Sequence, residues 1–570
     1  MKMKKVLSLL LVAVMAVALF AGCGGAKEKE TTEKADWKVF DQLIADIKST
    51  TDFVEREAKM HEAEDMLMET GALVPIYYYN DVYMVKPDVE GFFANVYGNK
   101  FFMYCTKGDA TTLKINLASE PDKLDPALNS SVDGACLAIN SFSGLFTYNA
   151  KGEQIPALVE TYTVSEDGKT YTFTLKDDLK WSDGSALTAA DFEYSWKRAA
   201  SAETGADYAY MFNGIDGYGT DNLNVKASED GKTFTVVLSA PCAYFLDLCA
   251  FPTFLPVKKD QVEGAKGYLD ADGKILNPGA WATEAGFVSN GAFTLKEWKH
   301  EESMVYVKNP YYYDAENVKI ERLEFMLSAD DVAIYAAYNA GNLDFIDSVP
   351  NDEISKLLDN PEFKIVDELG TYYICFNVKS DLFAGKTEAQ ANAMRRGLSL
   401  LIDRERIAED CGQTGQQPAN AFIPAKMLDG HGGEFKKSDD AYTYPVAAEN
   451  GYYTTAYGDE LVKEAIKLLE EAGFKFVDGK LSDETPINFE YLTNDGTGHI
   501  AIAECVQQDL AVIGVDMKIK TVDWDTFLNE RKAGNYDIAR NGWIADFNDP
   551  INMLEMWTTD SGNNDCQFGR

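Results

Sequence analysis

The chain has 570 residues with 53 basic and 92 acidic side chains, giving a formal net charge of -39 at pH 7. So acidic a chain is not expected to bind nucleic acid, because phosphate contacts need clustered Lys and Arg side chains. Hydrophobic residues make up 46% of the chain, enough to bury a core, and the length predicts roughly two to four structural units.

The chain begins with the features of an export signal. Lysines precede an apolar run, Val6–Ala21, that is too short to span a bilayer comfortably. The run ends in LFAGC, which resembles a bacterial lipobox. Residues 1–22 are therefore predicted to be a lipoprotein signal peptide, and Cys23 the acylated membrane anchor; an ordinary signal with a chance cysteine is the alternative. Residues 23–35 are charged, lack large apolar side chains and predict a flexible tether.

Hydrophobic patterning then alternates between strands and helices. Two near copies, Ser165–Tyr171 and Ser228–Phe234, each lead through an Asp-Gly turn into alternating apolar residues and predict β-hairpins. Thr188, with Asp191 three residues later, is typical of a helix N-terminus. Further elements are predicted as helices over Ala391–Ile407, Asp459–Ala472 and His499–Leu510, and as a strand over Val515–Val522. The alternation predicts an α/β chain with mixed sheets.

Motifs for catalysis or metal binding are not found. The sequence contains no HExxH, GxSxG or GxxxxGK[ST] pattern and no CxxC pair. We therefore expect no enzymatic activity, no cofactor and no metal. Eight cysteines follow Cys23 at scattered positions, and buried free thiols are expected, although an exported protein could pair some of them.

Four separated blocks carry a resemblance to a known family. They are Asn116–Pro126 (NLASEPDKLDP), Leu175–Trp196, Ser289–Trp298 (SNGAFTLKEW) and Asp523–Asn564. In this order the sequence resembles the oligopeptide-binding proteins of bacterial solute-binding protein family 5, the extracellular subunits of ATP-driven (ABC) peptide importers. The resemblance implies an α/β, bilobal, type II periplasmic-binding-protein fold with mixed sheets and an extra subdomain in the first lobe.

The family's C-terminal segments lie at the other end of this chain. Phe40–Ile44, Lys59–Met68 and Val74–Tyr79 resemble them, so the chain resembles a circular permutant. Residues 36–107 would then complete both lobes, with 108–368 as lobe I, its subdomain at about 150–275, and 369–570 as lobe II. A rearranged gene and an assembly error are the alternatives, and a natural and an artificial origin both stay open.

The resemblance also implies binding residues. Asp546 matches the carboxylate that pairs with a ligand's α-amino group; the alternative is that it is an acid in a turn. Arg540 matches a position that can meet the ligand's C-terminal carboxylate; the alternative is a surface arginine near Asp537. Thr497 takes the place of a family histidine, with His499 two residues later. Other cleft candidates, each of which could instead be core, are Trp524, Trp543, Tyr208, Tyr210, Tyr372, Tyr373 and Asn377.

The function implied is capture of oligopeptides by hinge closure between lobes and delivery to ABC permease subunits. The protein would act as a monomer on the outer face of the cell membrane, held there by its lipid. A dipeptide, sugar, metal chelate or signalling peptide is an alternative ligand. A different class of function is the second alternative: an extracellular hydrolase or an adhesin that uses the same fold.

Overall fold

The computed structural model describes residues 37–117 and 119–570. The predicted signal peptide, tether and lipidated Cys23 lie outside these residues. Among the residues described, no helix combines the length and apolar character needed to cross a bilayer.

Helices are distributed along the whole described chain. In order they are α1 (Lys38–Ser49), α2 (Phe53–Glu69), α3 (Val132–Ser141), α4 (Ala189–Ala200), α5 (Phe245–Leu248), α6 (Lys259–Glu263), α7 (Asp331–Asn339), α8 (Asn351–Leu357), α9 (Glu388–Leu400), α10 (Arg404–Ile407), α11 (Asp459–Glu471), α12 (Thr497–Ala511), α13 (Trp524–Ala533) and α14 (Ile551–Glu555). A single π-helical turn, Ala408–Gly412, follows α10 directly.

Strands fall between these helices. The first half of the chain holds β1 (Leu73–Val85), β2 (Val89–Glu90), β3 (Phe93–Ala94), β4 (Lys100–Phe101), β5 (Thr106–Lys107), β6 (Thr112–Asn116), β7 (Phe146–Tyr148), β8 (Gln154–Pro156), β9 (Val159–Val164), β10 (Thr170–Leu175), β11 (Val225–Ala227) and β12 (Thr233–Val237). The second half holds β13 (Phe293–Lys299), β14 (Ser303–Lys308), β15 (Arg322–Met326), β16 (Phe345–Ile346), β17 (Phe363–Phe376), β18 (Phe476–Val477), β19 (Lys480–Leu481), β20 (Asn488–Asn494), β21 (Asp516–Val522) and β22 (Ile538–Ile544).

One ten-stranded mixed sheet organises the molecule. Its strand order is β13-β14-β15-β6-β16-β1-β17-β22-β20-β21, so β1 lies near the centre although it comes first in the chain. The long strands β1 and β17 pair antiparallel along most of their length, from Leu73 opposite Cys375 to Met84 opposite Phe363. Two register irregularities interrupt this ribbon, and such bulges bend a strand pair. The ribbon therefore connects the two halves of the sheet.

A separate four-stranded sheet contains both predicted hairpins. Its order is β11-β12-β10-β9, and the β9–β10 and β11–β12 pairs are antiparallel. The turn glycines, Gly168 and Gly231, have φ of +70° and +71°, a conformation that a residue with a Cβ adopts only with strain. The helix predicted at Thr188 is also confirmed, because the Asp191 carboxylate accepts from the Thr188 backbone N–H at 2.8 Å.

The helix predicted over Ala391–Ile407 is wrong as a single element. The chain forms α9 and α10 with a break between them, and the Asp403 side chain caps α10 by accepting from the Arg406 backbone N–H. An aspartate that can bond its own following backbone favours a helix start over a helix interior. The helix predicted over Asp459–Ala472 is confirmed as α11.

The first described residues pack against the last ones. The Trp37 ring stacks on Phe568 at 4.2 Å between ring centroids, and its Nε1 donates to the Trp557 carbonyl at 2.8 Å. On α2, Arg56 makes two hydrogen bonds to the Asp549 carboxylate, at 2.7 and 2.8 Å, and both side chains are buried. Residues that are 493 positions apart in sequence thus share one ion pair.

Candidate functional site

A cavity of about 500 Å³ lies between the two halves of the sheet. Its walls come from the β1–β17 ribbon, the start of α3, the region before α8, the start of α12 and the end of β22. Volumes of several hundred Å³ are typical of small-ligand sites. Of the predicted ligand-binding residues, five line this cavity: Tyr208, Trp524, Arg540, Trp543 and Asp546.

Asp546 lies two residues after the end of β22 and lines the cavity. Its Oδ2 accepts from Asn552 Nδ2 at 2.9 Å, and its Oδ1 accepts from the Tyr208 hydroxyl at 3.4 Å. Burial raises the pKa of Asp546 to about 7, and the nearby Glu555 carboxylate acts in the same direction. No cation within 4 Å pairs with Asp546 among the described residues. The carboxylate is therefore held in place without a positive partner.

Asn552 positions this carboxylate, and sequence reasoning missed it. Its side chain is fully buried, and its Oδ1 accepts from Trp543 Nε1 at 2.9 Å and from the Asp546 backbone N–H at 3.0 Å. Because Asn552 Nδ2 also donates to the Asp546 carboxylate, this one side-chain amide holds both Trp543, in the cavity wall, and Asp546 in place. Its position in α14, six residues beyond Asp546, gives no distinctive sequence signal.

Arg540 is the second charged feature of the cavity. Its side chain is 6% exposed, and its Nε donates to Asn494 Oδ1 at 2.8 Å. The guanidinium carbon lies over the rings of Phe527 and Trp524, at 4.7 and 5.3 Å from their centroids, which favours a cation. No carboxylate lies within 4 Å of it in the described part of the chain. Burial lowers the pKa of this guanidinium.

Four of the predicted ligand-binding residues do not line the cavity. Tyr372 and Tyr373 are fully buried on β17, where Tyr372 stacks on Tyr77 and Tyr373 packs edge-on against Trp557. Asn377 is buried and donates to the Gly534 carbonyl at 2.7 Å, and Tyr210 is buried beside Tyr208. Both faces of β17 are covered at this point. The alternation of side chains between the two faces of the strand therefore does not distinguish residues that line the cavity from residues in the core.

His499, rather than Thr497, lines the cavity. Thr497 instead donates its hydroxyl to the Asp331 carboxylate at 2.7 Å and accepts from the Asn351 backbone N–H at 3.2 Å. Burial lowers the pKa of His499 well below its usual value, and the Arg540 charge acts in the same direction. The imidazole is therefore neutral at physiological pH.

A buried lysine surrounded by acids forms the far wall of the cavity. Lys100 Nζ lies 3.0 Å from Asp81 Oδ2 and 3.1 Å from Asp347 Oδ1. Burial raises the pKa of Asp347 to about 8 and that of Asp133 to about 6, and it raises the pKa of Glu368 as well. These residues are distant in sequence, so no spacing could have predicted the group.

Acidic side chains outnumber basic ones around the whole cavity. The basic side chains are Lys100, Arg531 and Arg540, and the acidic ones are Asp81, Asp133, Asp331, Asp347, Glu368, Asp495, Asp546 and Asp565. Buried carboxylates in excess of nearby cations favour a ligand that brings positive charge, since a charged amine would offset the cost of ionising them.

Comparison with known families fits this arrangement. A family model described as "Bacterial extracellular solute-binding proteins, family 5 Middle" matches residues 153–565. The chain is a family 5 solute-binding protein. It is 32% identical to the oligopeptide-binding protein OppA of Bacillus subtilis over 470 residues, which are 80% of this chain and 78% of that protein. It is 31% identical to the periplasmic murein peptide-binding protein MppA of Escherichia coli over 79% of this chain and 78% of that one.

Solved structures confirm the fold of this family 5 protein. The structure of Haemophilus influenzae OppA in complex with the peptide RPPGFSPFR matches it with a TM-score of 0.69 at 27% identity, covering 81% of this chain and 85% of the other. The Escherichia coli MppA structure matches with a TM-score of 0.68 at 28% identity, covering 81% and 84%. The predicted bilobal α/β periplasmic-binding fold is thereby confirmed.

Proposed function

We propose that this family 5 protein captures oligopeptides, with Asp546 as the partner of the ligand's α-amino group. The observation that supports this most directly is the partly buried Asp546 carboxylate, which has no cationic partner among the described residues and which Asn552 holds facing the cavity. A charge-assisted bond between a carboxylate and an enclosed ammonium contributes about 1.5–3 kcal/mol. Arg540, which also lacks an ion-pair partner within the described chain, would meet the C-terminal carboxylate of a short peptide.

Capture would proceed by closure of two lobes. We assign residues 108–368 to lobe I, with a subdomain at about 150–275, and residues 369–570 to lobe II, with 36–107 completing both. A peptide that contacts both lobes only in the closed form shifts the population toward that form. The closed form would then deliver its ligand to an ABC permease, and acylated Cys23 would keep the monomeric protein at the membrane surface.

Calorimetry with tri- to pentapeptides tests the binding role. Peptides with a free amino terminus should bind, and N-acetylated versions of the same peptides should bind at least about tenfold more weakly, since the lost bond is worth more than 1.4 kcal/mol. Asp546→Asn should show the same loss with the free peptides, while Asp560→Asn, an exposed change on the same segment, should not. Equal binding of acetylated and free peptides would refute the role of Asp546.

We also propose that the chain is a circular permutant of the usual family order. Support comes from the contacts between Trp37 and Phe568 and between Arg56 and Asp549, which place the 37–69 segment beside the end of the chain. The proposed linker across the old termini, 108–112, is exposed except for its last residue, and a Cβ at Gly108 would meet nothing within 4 Å. Exposed linkers of this kind tolerate such rearrangement.

Peptide mapping of protein isolated from its source cells tests this order. Glu-C protease should release Gly91–Glu120, which contains the proposed linker together with Lys107 before it and Leu113 after it. Detection of this peptide would support a permuted protein. Its absence, together with a Glu-C peptide that joins Arg570 to the sequence of Trp37, would show that the segments are ordered as in other family members and would refute the proposal.

A further inference from the structure

Two buried cysteines lie side by side at the edge of the cavity. Cys411 belongs to the π-helical turn Ala408–Gly412, and Cys505 lies in α12. Their sulfur atoms are 3.5 Å apart, although the residues are 94 positions apart in sequence. Both side chains are at least nine-tenths buried, and Cys411 is one of the residues lining the cavity. A small solute in the cavity can therefore reach Cys411, and the Cys505 sulfur lies next to it.

The surroundings of the pair favour reaction at Cys505. A hydrogen bond with Cys411 lowers the pKa of the Cys505 thiol to about 7, and the Arg406 guanidinium acts in the same direction. Arg406 is fixed there, because its Nη2 donates to the Cys505 carbonyl at 3.0 Å and to Asp509 Oδ1 at 2.5 Å. A thiolate, not a thiol, is the nucleophile in cysteine oxidation, so Cys505 would react first.

We propose that Cys411 and Cys505 form a disulfide when the protein meets hydrogen peroxide outside the cytoplasm. In the first step, the Cys505 thiolate attacks one peroxide oxygen; an S–O bond forms, the O–O bond breaks, and hydroxide leaves and takes up the proton that Cys505 released. In the second step, Cys411 Sγ attacks the resulting sulfenic sulfur; the S–S bond forms, and the S–O oxygen leaves with the Cys411 proton as water. Two thiols are oxidised, and one peroxide is reduced to two waters.

The bond would join two segments that both form hydrogen bonds with Asn351, in the other half of the molecule. Asn351, the first residue of α8, donates its Nδ2 to the Cys411 carbonyl at 2.7 Å and its backbone N–H to Thr497 Oγ1 at 3.2 Å. Thr497 begins the same helix that carries Cys505 and the cavity-lining His499. A covalent link between Cys411 and Cys505 would therefore restrict the relative movement of the two groups that accept hydrogen bonds from Asn351, which are the Cys411 carbonyl and the Thr497 hydroxyl.

The other cysteines provide controls. Cys375 and Cys566 also interact by a hydrogen bond, but both are fully buried and neither lines the cavity, so we expect them to react more slowly. Cys105 is fully buried, and burial raises the pKa of its thiol to about 12, which makes it the matched unreactive cysteine. The proposal relies on the extracellular location of the family and not on the identity of the ligand.

The test is a differential thiol map of the mature protein, as purified and after treatment with hydrogen peroxide. Free thiols are alkylated under denaturing conditions, and the tryptic peptides are separated without reduction. A peptide pair joining Cys411 to Cys505 should appear in the peroxide-treated sample, and the melting temperature should rise by several degrees and fall again on reduction. That rise should vanish in Cys411→Ala and persist in Cys105→Ala.

Two results would overturn the proposal. One is a peroxide-treated sample in which both cysteines carry the alkylating group. The other is a sample in which Cys411 or Cys505 is linked only to a different cysteine. The map of the unsubstituted protein decides the question even where an alanine variant does not fold.

Discussion

Lowering the pH should weaken peptide binding through Asp546. Its pKa in the empty cavity is about 7, so the carboxyl is mostly ionised at pH 7.5 and mostly protonated at pH 5.5. A ligand ammonium pairs only with the ionised form and lowers the pKa of Asp546 in the complex. Affinity must therefore fall as the pH drops below about 7, because the carboxyl has to lose a proton before it can pair.

The size of the effect follows from the pKa. With a pKa of about 7 in the free protein and a value below 5.5 in the complex, affinity for a tripeptide should fall about 25-fold between pH 7.5 and pH 5.5, or about 2 kcal/mol. The peptide amine, with a pKa near 7.7–8.0, stays mostly protonated over this range and does not reverse the trend. About one proton should be released per peptide bound at pH 6.

Isothermal calorimetry at several pH values, in buffers of different ionisation enthalpy, measures both quantities. Glu555, whose pKa burial also raises, lies near Asp546 but is paired with Lys48. Asp546→Asn separates the two contributions, because this variant should lose the pH slope while any slope from Glu555 remains. A wild-type affinity that is flat between pH 5.5 and pH 7.5, or a slope in Asp546→Asn as steep as in the wild type, would refute the reasoning.

Three further changes test other parts of the structure. Asp546→Asn should stabilise the ligand-free protein by about 2–4 kcal/mol at pH 8 in chemical denaturation, with the gain shrinking toward pH 4, because a carboxyl with a raised pKa destabilises the fold once ionised. Arg540→Met should weaken binding of a tripeptide with a free C-terminus about tenfold or more and leave the amidated tripeptide unchanged in calorimetry; equal losses for both would contradict a carboxylate contact. Arg56→Met should lower the free energy of unfolding by about 3–5 kcal/mol, because it leaves the Asp549 carboxylate buried and unpaired; a change below about 1 kcal/mol would show that this pair is not needed to dock α2.

Local sequence signals predicted the local parts of the fold well. The Asp-Gly turns gave both hairpins, and the Thr188–Asp191 spacing gave the start of α4, because in each case the deciding interaction lies within a few residues. The break at Asp403 was missed for a related reason. Helical periodicity continues through it, and only the capping bond to Arg406 shows that a new helix begins.

The cavity was predictable only where the resemblance marked a position. Asp546, Arg540 and Trp543 lie on or just after β22, so one matched segment placed all three. The group around Lys100 could not be found this way, since Asp81 and Asp347 approach it only after the sheet has formed. Tyr372 and Tyr373 agree with the core alternative, because both side chains are fully buried although their strand passes close to the cavity.

The antiparallel ribbon of β1 and β17 limits how the two halves of the sheet can move. Both strands pass from one half to the other, and they are hydrogen-bonded to each other where they cross, with Asn80 opposite Asp367 and Tyr83 opposite Lys364. Sliding of one strand along the other would break these bonds, whereas bending or twisting of the ribbon preserves them. The closure proposed above would therefore rotate one half relative to the other without sliding, and a pair of spectroscopic labels, one on each half, would detect it as a change in the distance between them.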